Sequence, residues 1–296
     1  MKLRRVVWVL ICFMLTGCAI YPYIPSKHVT QASYLESGEN RYEFYRKQIN
    51  GKVQRVFRFA DTIDLVKGMH VLANGSKDFE LYYELQDEIQ VEHVMTLLRS
   101  LSFERMRLYY GSSHDFGMMR VELLHEKEQE EALAKVRKVI QENQVAAMDL
   151  FDQVRFVHDY LVRYTVYDSQ SAADTSLASD DFSLTAYGAL IGQKAVCEGY
   201  ARSFLLFMDE LDIPAYIVEA QEMNHAWNAV KLADEWYYVD VTFDDPVPDQ
   251  ADVIHDTFFL LSKEELIALG QHIFDDGNEI GMNAEQYEES MKRIYP

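Results

Sequence analysis

The fold is decided by three segments within residues 183–246, which read Ala195-Val-Cys197-Glu-Gly-Tyr-Ala201, Asn224-His225-Ala-Trp-Asn228 and Tyr238-Val-Asp240-Val-Thr-Phe-Asp-Asp-Pro246. The first segment opens an apolar stretch at helical spacing, and the other two lie in strand-like runs. They supply a cysteine, a histidine and an aspartate in that order, which are the parts of a thiol acyl-transfer site. We therefore interpret the rest of the chain as support for these segments.

Cys197 lies at the start of a predicted helix that runs from Glu198 to Asp212. Unpaired backbone N–H groups at a helix amino terminus favour a thiolate over a thiol, and they can stabilise an oxyanion on an attacked carbonyl. Cys197 also lies on the apolar stripe of this helix. Taken alone, it would therefore be better explained as a buried core cysteine.

The histidine and the aspartate lie on two predicted strands, residues 225–231 and 236–241, which a short turn joins into a hairpin. Centring the turn near Ala233 brings His225 roughly opposite Asp240. The carboxylate could then accept a ring N–H of His225 and fix its tautomer. An edge-strand histidine and a strand-end acid remain the structural alternatives for these two residues.

Together the three segments resemble the motifs of the bacterial transglutaminase-like superfamily, and the resemblance covers roughly residues 151–262. It implies an α+β, papain-like core in which the cysteine helix packs on an antiparallel sheet. It also implies that Cys197 is the nucleophile, His225 the general base and acid, and Asp240 the orienting group. Phe243 stands where many relatives have tryptophan, which should affect packing more than catalysis.

The oxyanion donor is not specified by these motifs. By their chemistry, three residues near the cysteine segment are candidates: Gln193, Tyr187 and Tyr200.

The amino terminus predicts export. Met1-Lys-Leu-Arg-Arg5 precedes an apolar run from Val6 to Leu15, which is too short to span a bilayer. The run ends in Leu15-Thr-Gly-Cys18, which resembles the lipobox of bacterial lipoproteins. That resemblance implies cleavage after residue 17, a lipid on Cys18 and a location on the extracytoplasmic face of the cell membrane. An ordinary signal peptide or an uncleaved anchor is the alternative.

The rest of the sequence divides into three parts. Residues 18–40 contain proline, serine and glycine with little periodicity, which predicts a tether. Residues 41–125 mix strand-like and helical runs and predict an N-terminal α+β region. Residues 126–296 then form the transglutaminase-like domain. Strands are predicted at 53–59, 79–85, 105–110 and 118–124, and helices around 91–98, 127–143 and 149–164.

Charge and cysteine content narrow the function further. The formal net charge of −20 repels phosphate backbones and anionic lipid heads, so no nucleic-acid partner and no electrostatic docking to a membrane are predicted. If Cys12 leaves with the signal peptide and Cys18 carries lipid, Cys197 is the one free thiol of the mature chain. In an exported protein such a thiol is either buried or used as a nucleophile.

No metal and no cofactor are predicted. The nine histidines show no His-x-x-x-His spacing, and His158-Asp159 is better explained as helix packing or capping. The acidic run Asp244, Asp245, Asp249 and Asp252 is broken by prolines and is interpreted as a solvated turn rather than a calcium loop.

The predicted function is that of a lipid-anchored, extracytoplasmic thiol enzyme that acts on protein or peptide amides near the cell envelope. Attack by Cys197 would release ammonia or an amine and leave a thioester, from which cross-linking, deamidation or hydrolysis could follow. The alternative is a catalytically silent transglutaminase-like binding module for envelope assembly or protein docking. A metal-dependent hydrolase is the third and weakest interpretation.

Overall fold

The computed structural model describes residues 26–28, 33–37, 40–73, 78–86, 89–101, 106–112, 116–174, 176, 178, 181–250, 253–274, 282 and 284–295. The predicted signal peptide, residues 1–17, and the predicted lipidation site, Cys18, lie outside this range. Within it, no helix combines the length and the apolar character needed to cross a bilayer.

The first layer of the molecule is a seven-stranded sheet with two helices. Its strands are β1 (Ser26–His28), β2 (Ser33–Ser37), β3 (Asn40–Ile49), β4 (Lys52–Phe59), β5 (Asp78–Leu85), β6 (Met106–Ser112) and β7 (Gly117–Leu123), and its helices are α1 (Thr62–Ala73) and α2 (Val91–Arg99). The strand order is β1-β3-β4-β5-β7-β6, with β2 also paired to β3. All pairs are antiparallel except β4 with β5, which α1 connects as a crossover. The four strands and the helix predicted here are all present.

Part of the segment predicted as a tether is strand instead. Strands β1 and β2 both lie within residues 18–40, and both pair with β3. The composition of this segment is typical of a linker, but backbone hydrogen bonds to a neighbouring strand do not depend on composition. Residues 26–28 and 33–37 therefore belong to the folded sheet.

The second layer contains the three decisive segments. It comprises the helices α3 (Glu126–Glu142), α4 (Leu150–Tyr164), α5 (Ser169–Ala172), α6 (Ala186–Leu190), α7 (Cys197–Glu210), α8 (Val241–Asp244), α9 (Lys263–Ala268) and α10 (Ala284–Ile294), and the strands β8 (Val166–Tyr167), β9 (Lys194–Ala195), β10 (Ala215–Ala220), β11 (His225–Leu232) and β12 (Glu235–Val239). Strands β10, β11 and β12 form an antiparallel sheet, and α7 packs against β10 and β11. This is the predicted α+β, papain-like arrangement, and the fold prediction is confirmed.

The sheet β10-β11-β12 is buried on both faces. Because side chains alternate along a strand, Ile217 joins the core around α7, whereas Tyr216 and Val218 join a second core. That second core includes Leu97 of α2 and Met291 of α10. The second layer, which includes the last helix α10, and the N-terminal sheet therefore share one apolar interior.

Candidate active site

Cys197 is the first residue of α7. Val196 precedes the helix in an extended conformation, and its N–H donates to the carbonyl of Ser183 at 2.9 Å. The first N–H groups of a helix have no partner within it, and Cys197 belongs to this first turn. Cys197 is half-buried, which leaves the thiol reachable and separates it from the fully buried residues of the same helix.

The segment before Cys197 is held against the first turn of α7. A Cβ added to Gly199 would lie 2.6 Å from the carbonyl oxygen of Ser183 and 2.7 Å from the Cβ of Ala195. Only glycine allows this approach of the two backbones. The glycine after the cysteine is therefore required by packing.

Strand β11 is tied to the cysteine helix by the asparagine of its motif. The buried side chain of Asn228 donates from Nδ2 to the carbonyl of Ala201 in α7, at 3.0 Å. A buried amide with a satisfied hydrogen bond fixes the relative position of two elements. This contact sets the strand that carries His225 against the helix that carries Cys197.

His225 and Asp240 form a hydrogen-bonded pair. Nε2 of His225 lies 2.6 Å from Oδ2 of Asp240, which is 1% exposed. Asp240 was predicted to be a strand residue, but it is the N-cap of α8. Its Oδ1 accepts the N–H of Phe243 at 3.0 Å. The hairpin pairs Asn228 with Val239, so a continued ladder would place Trp227 opposite Asp240. His225 therefore reaches the carboxylate diagonally, two residues from the predicted register.

The electrostatics of the pair favour a charged imidazole on His225. Burial opposes a charge on His225, but the charge and hydrogen bond of Asp240, together with the interaction with Cys197, raise the pKa of His225 to about 10. Burial likewise opposes a charge on Asp240, yet His225 and His272 lower the pKa of this carboxyl to about 2. Since Nε2 of His225 is taken by Asp240, Nδ1 is the ring atom available to Cys197. This is the charge state that supports a thiolate–imidazolium pair.

Two aromatic rings hold the imidazole of His225 in place. Phe243 stacks on it with ring centroids 4.4 Å apart and an interplanar angle of 22°, and Trp227 lies on it at 5.8 Å and 23°. Stacked rings of this kind restrict rotation of the histidine and exclude water from its hydrogen bond. Phe243 thus contacts the histidine directly and is more than a packing substitute for tryptophan.

His272 is a site residue that was not predicted from the sequence. Its Nε2 lies 2.8 Å from Oδ2 of Asp240, the oxygen that also contacts His225. The side chain is completely buried. No signal in the sequence indicates this contact, because His272 lies 32 residues after Asp240 and outside all three motifs.

These three residues are also the potential metal ligands at this site. The ligand atoms of His225, Asp240 and His272 lie within 4.8 Å of one another. Ligands bonded to a tetrahedral zinc ion at 2.0–2.1 Å are about 3.3 Å apart. The separations of 2.6 and 2.8 Å are those of hydrogen bonds instead. The arrangement therefore fits a proton-sharing network better than a metal centre.

Tyr200 is not available as an oxyanion donor. Its buried hydroxyl contacts Oδ2 of Asp245 and lies 3.0 Å from the carbonyl of Thr165. A tyrosine has one hydroxyl hydrogen, and these two acceptors already compete for it. The prediction for Tyr200 is wrong because its side chain lies on the inner face of α7.

The other two candidates stay predictions. Gln193 is exposed, and its Nε2 donates to the carbonyl of Tyr164 at 3.5 Å. Tyr187 is half-buried, and its ring lies 5.1 Å from that of Phe182.

Tyr167 is a further residue at the site. It pairs with Ala195, two residues before the cysteine. Burial raises its pKa, and the charges of Cys197, Asp168 and Asp240 raise it further. Its hydroxyl therefore lies in the electrostatic field of the site. The predictions considered only the three motifs and the residues next to them, and so passed over it.

A second histidine that contacts carboxylates lies on α4. His158 of α4 is fully buried, and its two ring nitrogens lie 2.9 Å from Asp159 and 3.1 Å from Asp244. Burial opposes a charge on His158, but these two carboxylates raise its pKa above the ordinary value. The packing role predicted for His158 is confirmed.

The predicted solvated turn is wrong for its first two acids. Asp244 is fully buried and accepts from His158 and from the N–H of Phe258. Asp245 is 4% exposed, and burial raises its pKa to about 6 despite the hydrogen bond from Tyr200. Both carboxylates are buried against partners distant in sequence, although Oδ1 of Asp245 has no hydrogen-bond partner among the described residues.

Comparison with known proteins agrees with this geometry. Residues 137–241 match the family model of the transglutaminase-like superfamily. No curated protein matches the chain.

Two solved structures are similar. One is described as the crystal structure of a TGase, with 16% identity and a TM-score of 0.35 over 68% of this chain and 65% of that one. The other is described as a cysteine protease from Cytophaga hutchinsonii, with 15% identity and a TM-score of 0.28 over 49% of this chain and 58% of that one. This chain therefore spans less than two thirds of either structure, and both TM-scores are too low to inform the site.

The matched residues contain Cys197, His225 and Asp240 together with the helix and the sheet that carry them. Residues 137–241 are therefore similar to the transglutaminase-like superfamily, and the packing of α7 on the antiparallel sheet supports a papain-like fold.

Proposed function

We propose that this protein is a thiol enzyme that transfers acyl groups from protein or peptide amides through a thioester on Cys197. The observation that carries the proposal is the buried Asp240–His225 hydrogen bond, with the imidazole coupled in turn to Cys197. A charged imidazole beside a half-buried thiol at a helix amino terminus is the arrangement that activates a cysteine nucleophile.

The proposed reaction has two steps. The Cys197 thiolate attacks the amide carbonyl, and the oxyanion is stabilised by the N–H groups at the start of α7. The imidazolium of His225 gives its proton to the departing nitrogen, so ammonia or an amine leaves and the thioester remains. His225, now neutral, takes a proton from water or from an amine, whose attack releases the acyl group and restores the thiolate beside the imidazolium.

The acceptor decides which product forms. Attack by water gives hydrolysis or deamidation, and attack by a primary amine gives an isopeptide cross-link. The same three residues serve either outcome, so both belong to the proposal.

The first test is the pH dependence of iodoacetamide alkylation at Cys197, with the full chain in detergent and Cys197→Ser as the blank. Fast labelling well below the unperturbed thiol pKa of about 8.5, with marked slowing in His225→Ala, is expected. If the folded protein resists labelling at every pH, the enzyme proposal fails, and a binding module becomes the better interpretation.

A second test separates the acyl acceptors. The protein is incubated with a glutamine-containing peptide and a fluorescent primary amine, and the peptide is analysed by mass spectrometry. Incorporation of the amine indicates cross-linking, whereas a mass gain of one unit indicates deamidation. A shortened peptide indicates hydrolysis of the backbone.

We further propose that a lipid on Cys18 holds the protein at the extracytoplasmic face of the cell membrane, with its substrate in the cell envelope. Support comes from the sequence Leu15-Thr-Gly-Cys18 after an apolar run. Cys18→Ser should abolish incorporation of a labelled fatty acid and release the protein from the membrane fraction. Unchanged labelling in this variant would contradict the anchor.

A further inference from the structure

We infer that His272 is a positioning residue that holds Asp240 in place as a carboxylate, through a permanent hydrogen bond from Nε2. The inference rests on the proposed function, since it concerns the orienting member of the same triad. It adds a fourth residue that none of the three motifs contains.

The carboxylate of Asp240 accepts hydrogen bonds at both of its oxygens. Oδ2 of Asp240 is shared by two imidazoles, at 2.6 Å from His225 and 2.8 Å from His272, while Oδ1 accepts the N–H of Phe243 at 3.0 Å. The carboxylate therefore has three donors that come from three separate parts of the chain. Such a set fixes both the position and the rotation of the group.

The two ring nitrogens of His272 have different surroundings. For its Nε2 to donate to Asp240, that nitrogen must carry a hydrogen. Its Nδ1 is buried without a hydrogen-bond partner in the described part of the chain. A hydrogen there would leave a buried N–H without a partner, which is costly. The hydrogen-bond geometry therefore assigns the ring hydrogen of His272 to Nε2, from which it donates.

The ring of His272 lies in an aromatic environment. Three aromatic side chains surround His272: Trp227 at 4.9 Å, Phe243 at 5.0 Å and Phe258 at 5.2 Å between centroids. None of them titrates. The titratable groups that act on Asp240 are His225, His272 and Tyr167. Of these, only the two histidines donate to the carboxylate.

The catalytic cycle explains why a second imidazole is useful. While His225 is an imidazolium, its charge stabilises the buried carboxylate of Asp240. Once His225 has given its proton to the departing nitrogen, that charge is gone. The hydrogen bond from His272 remains, so Asp240 keeps a satisfied negative charge and does not take up a proton. It is then still in place when His225 is recharged.

Two variants separate the hydrogen bond from the packing. His272→Phe keeps an aromatic ring and removes the donor, whereas His272→Gln keeps a donor at a similar reach and removes the ring. Each is prepared as the full chain in detergent, and its thermal unfolding is recorded. The readout is the ratio of the alkylation rate of Cys197 at pH 4 to that at pH 7.

We expect His272→Phe to lower this ratio by up to about two- to threefold, because loss of a hydrogen bond to a charged group raises the pKa of Asp240 from about 2 by about one to two units. His272→Gln should restore most of the wild-type ratio. If His272 had only a structural role, neither substitution would alter the ratio of alkylation rates. His272→Gln, which removes the ring, would then be the less stable variant. A wild-type ratio in folded His272→Phe overturns the inference.

A second measurement needs no variant. The ring nitrogens of His272, observed by 15N NMR in the wild-type chain at pH 8, should show the tautomer protonated at Nε2. The tautomer protonated at Nδ1 overturns the inference. This readout does not depend on reactivity, so it still tests His272 if the wild-type thiol proves unreactive and the proposed function fails.

Discussion

At the scale of single residues, the charge on His225 is the property on which the proposed chemistry depends. It also makes a prediction for stability. The pKa of His225 is raised from 6.5 to about 10, so the folded state binds its proton more tightly than the unfolded state does. The resulting stabilisation is complete below pH 6.5 and is lost as the pH rises through 10.

His225→Gln removes this dependence. The free energy of unfolding in urea should differ between wild type and variant at pH 6 by more than it does at pH 10, by on the order of a few kcal/mol. Asp240 sets the lower limit: because its pKa is lowered from 3.8 to about 2, its own contribution is present above pH 3.8 and is lost as the pH falls through 2. An equal difference at pH 6 and pH 10 would contradict the raised pKa of His225.

Phe243 provides a second prediction at this scale. Removing the ring that stacks on His225 at 4.4 Å should free the imidazole to rotate. We expect Phe243→Ala to slow alkylation of Cys197 about three- to tenfold and to destabilise the fold by about 1–2 kcal/mol, since the residue is partly exposed. Phe243→Trp should preserve both properties. Equal labelling rates in the alanine variant and the wild type would show that the stacking is incidental.

The residues of the site were predictable to the extent that their signals are local. Cys197, His225 and Asp240 each lie in a short motif, and the structure brings the three together; their catalytic roles stay predictions. His272 has no such motif. The burial of Asp244 and Asp245 depends on His158, 86 residues away, and on Tyr200, 45 residues away. Composition indicated a solvated turn because those partners are supplied only by the tertiary fold.

At the scale of elements, the first turn of α7 packs closely on the segment before it. This contact predicts that a glycine-to-alanine change there lowers stability, whereas helix propensity predicts that it raises stability. In an exposed helix interior, glycine to alanine stabilises by about 1 kcal/mol. At Gly199 the new Cβ would meet a carbonyl oxygen at 2.6 Å, so Gly199→Ala should destabilise by about 1–3 kcal/mol.

The measurement for Gly199→Ala is urea unfolding, followed by the labelling rate of Cys197. Because the clash displaces the first turn of the helix, the labelling rate should fall together with stability. A variant as stable as the wild type, or more stable, would mean that the two backbones separate easily.

Longer elements were predicted more accurately than short ones. The periodic runs at 127–143 and 149–164 correspond to α3 and α4 within a residue or two. Helix α8 was missed because it has four residues, too few for a periodic pattern. Strands β1 and β2 were missed because their evidence lies in pairing with β3 rather than in their own composition.

At the scale of the whole molecule, the shared apolar interior contradicts a simple view of two independent units. The bounds 41–125 and 126–296 stay predictions, but the side chains of Tyr216, Trp227 and Met291 are buried against the N-terminal layer. Sequence periodicity identifies which residues are buried, yet it does not identify the layer that covers them. For this reason the packing of α10 against α1 and α2 could not be predicted.

This packing predicts that residues 126–296 do not fold alone. The isolated fragment would lose the N-terminal part of this shared core and would expose the face of α10 that packs against α1 and α2, including the buried Met291. We expect it to aggregate or to lack a cooperative thermal transition by circular dichroism. A chain of residues 26–296, which keeps both layers, is the control and should unfold cooperatively. A soluble, cooperative 126–296 fragment would show that the interface is dispensable.

Helix α8 is fixed at both ends by side chains from elsewhere, with Asp240 held by His225 and His272 and Asp244 held by His158. A helix of four residues cannot hold its own shape, so these anchors determine where it lies. The exposed residues 247–250 follow directly and lie outside the anchors. For protein engineering, and equally for evolution, this loop is a place where sequence can be inserted and recognition altered while the triad stays where it is.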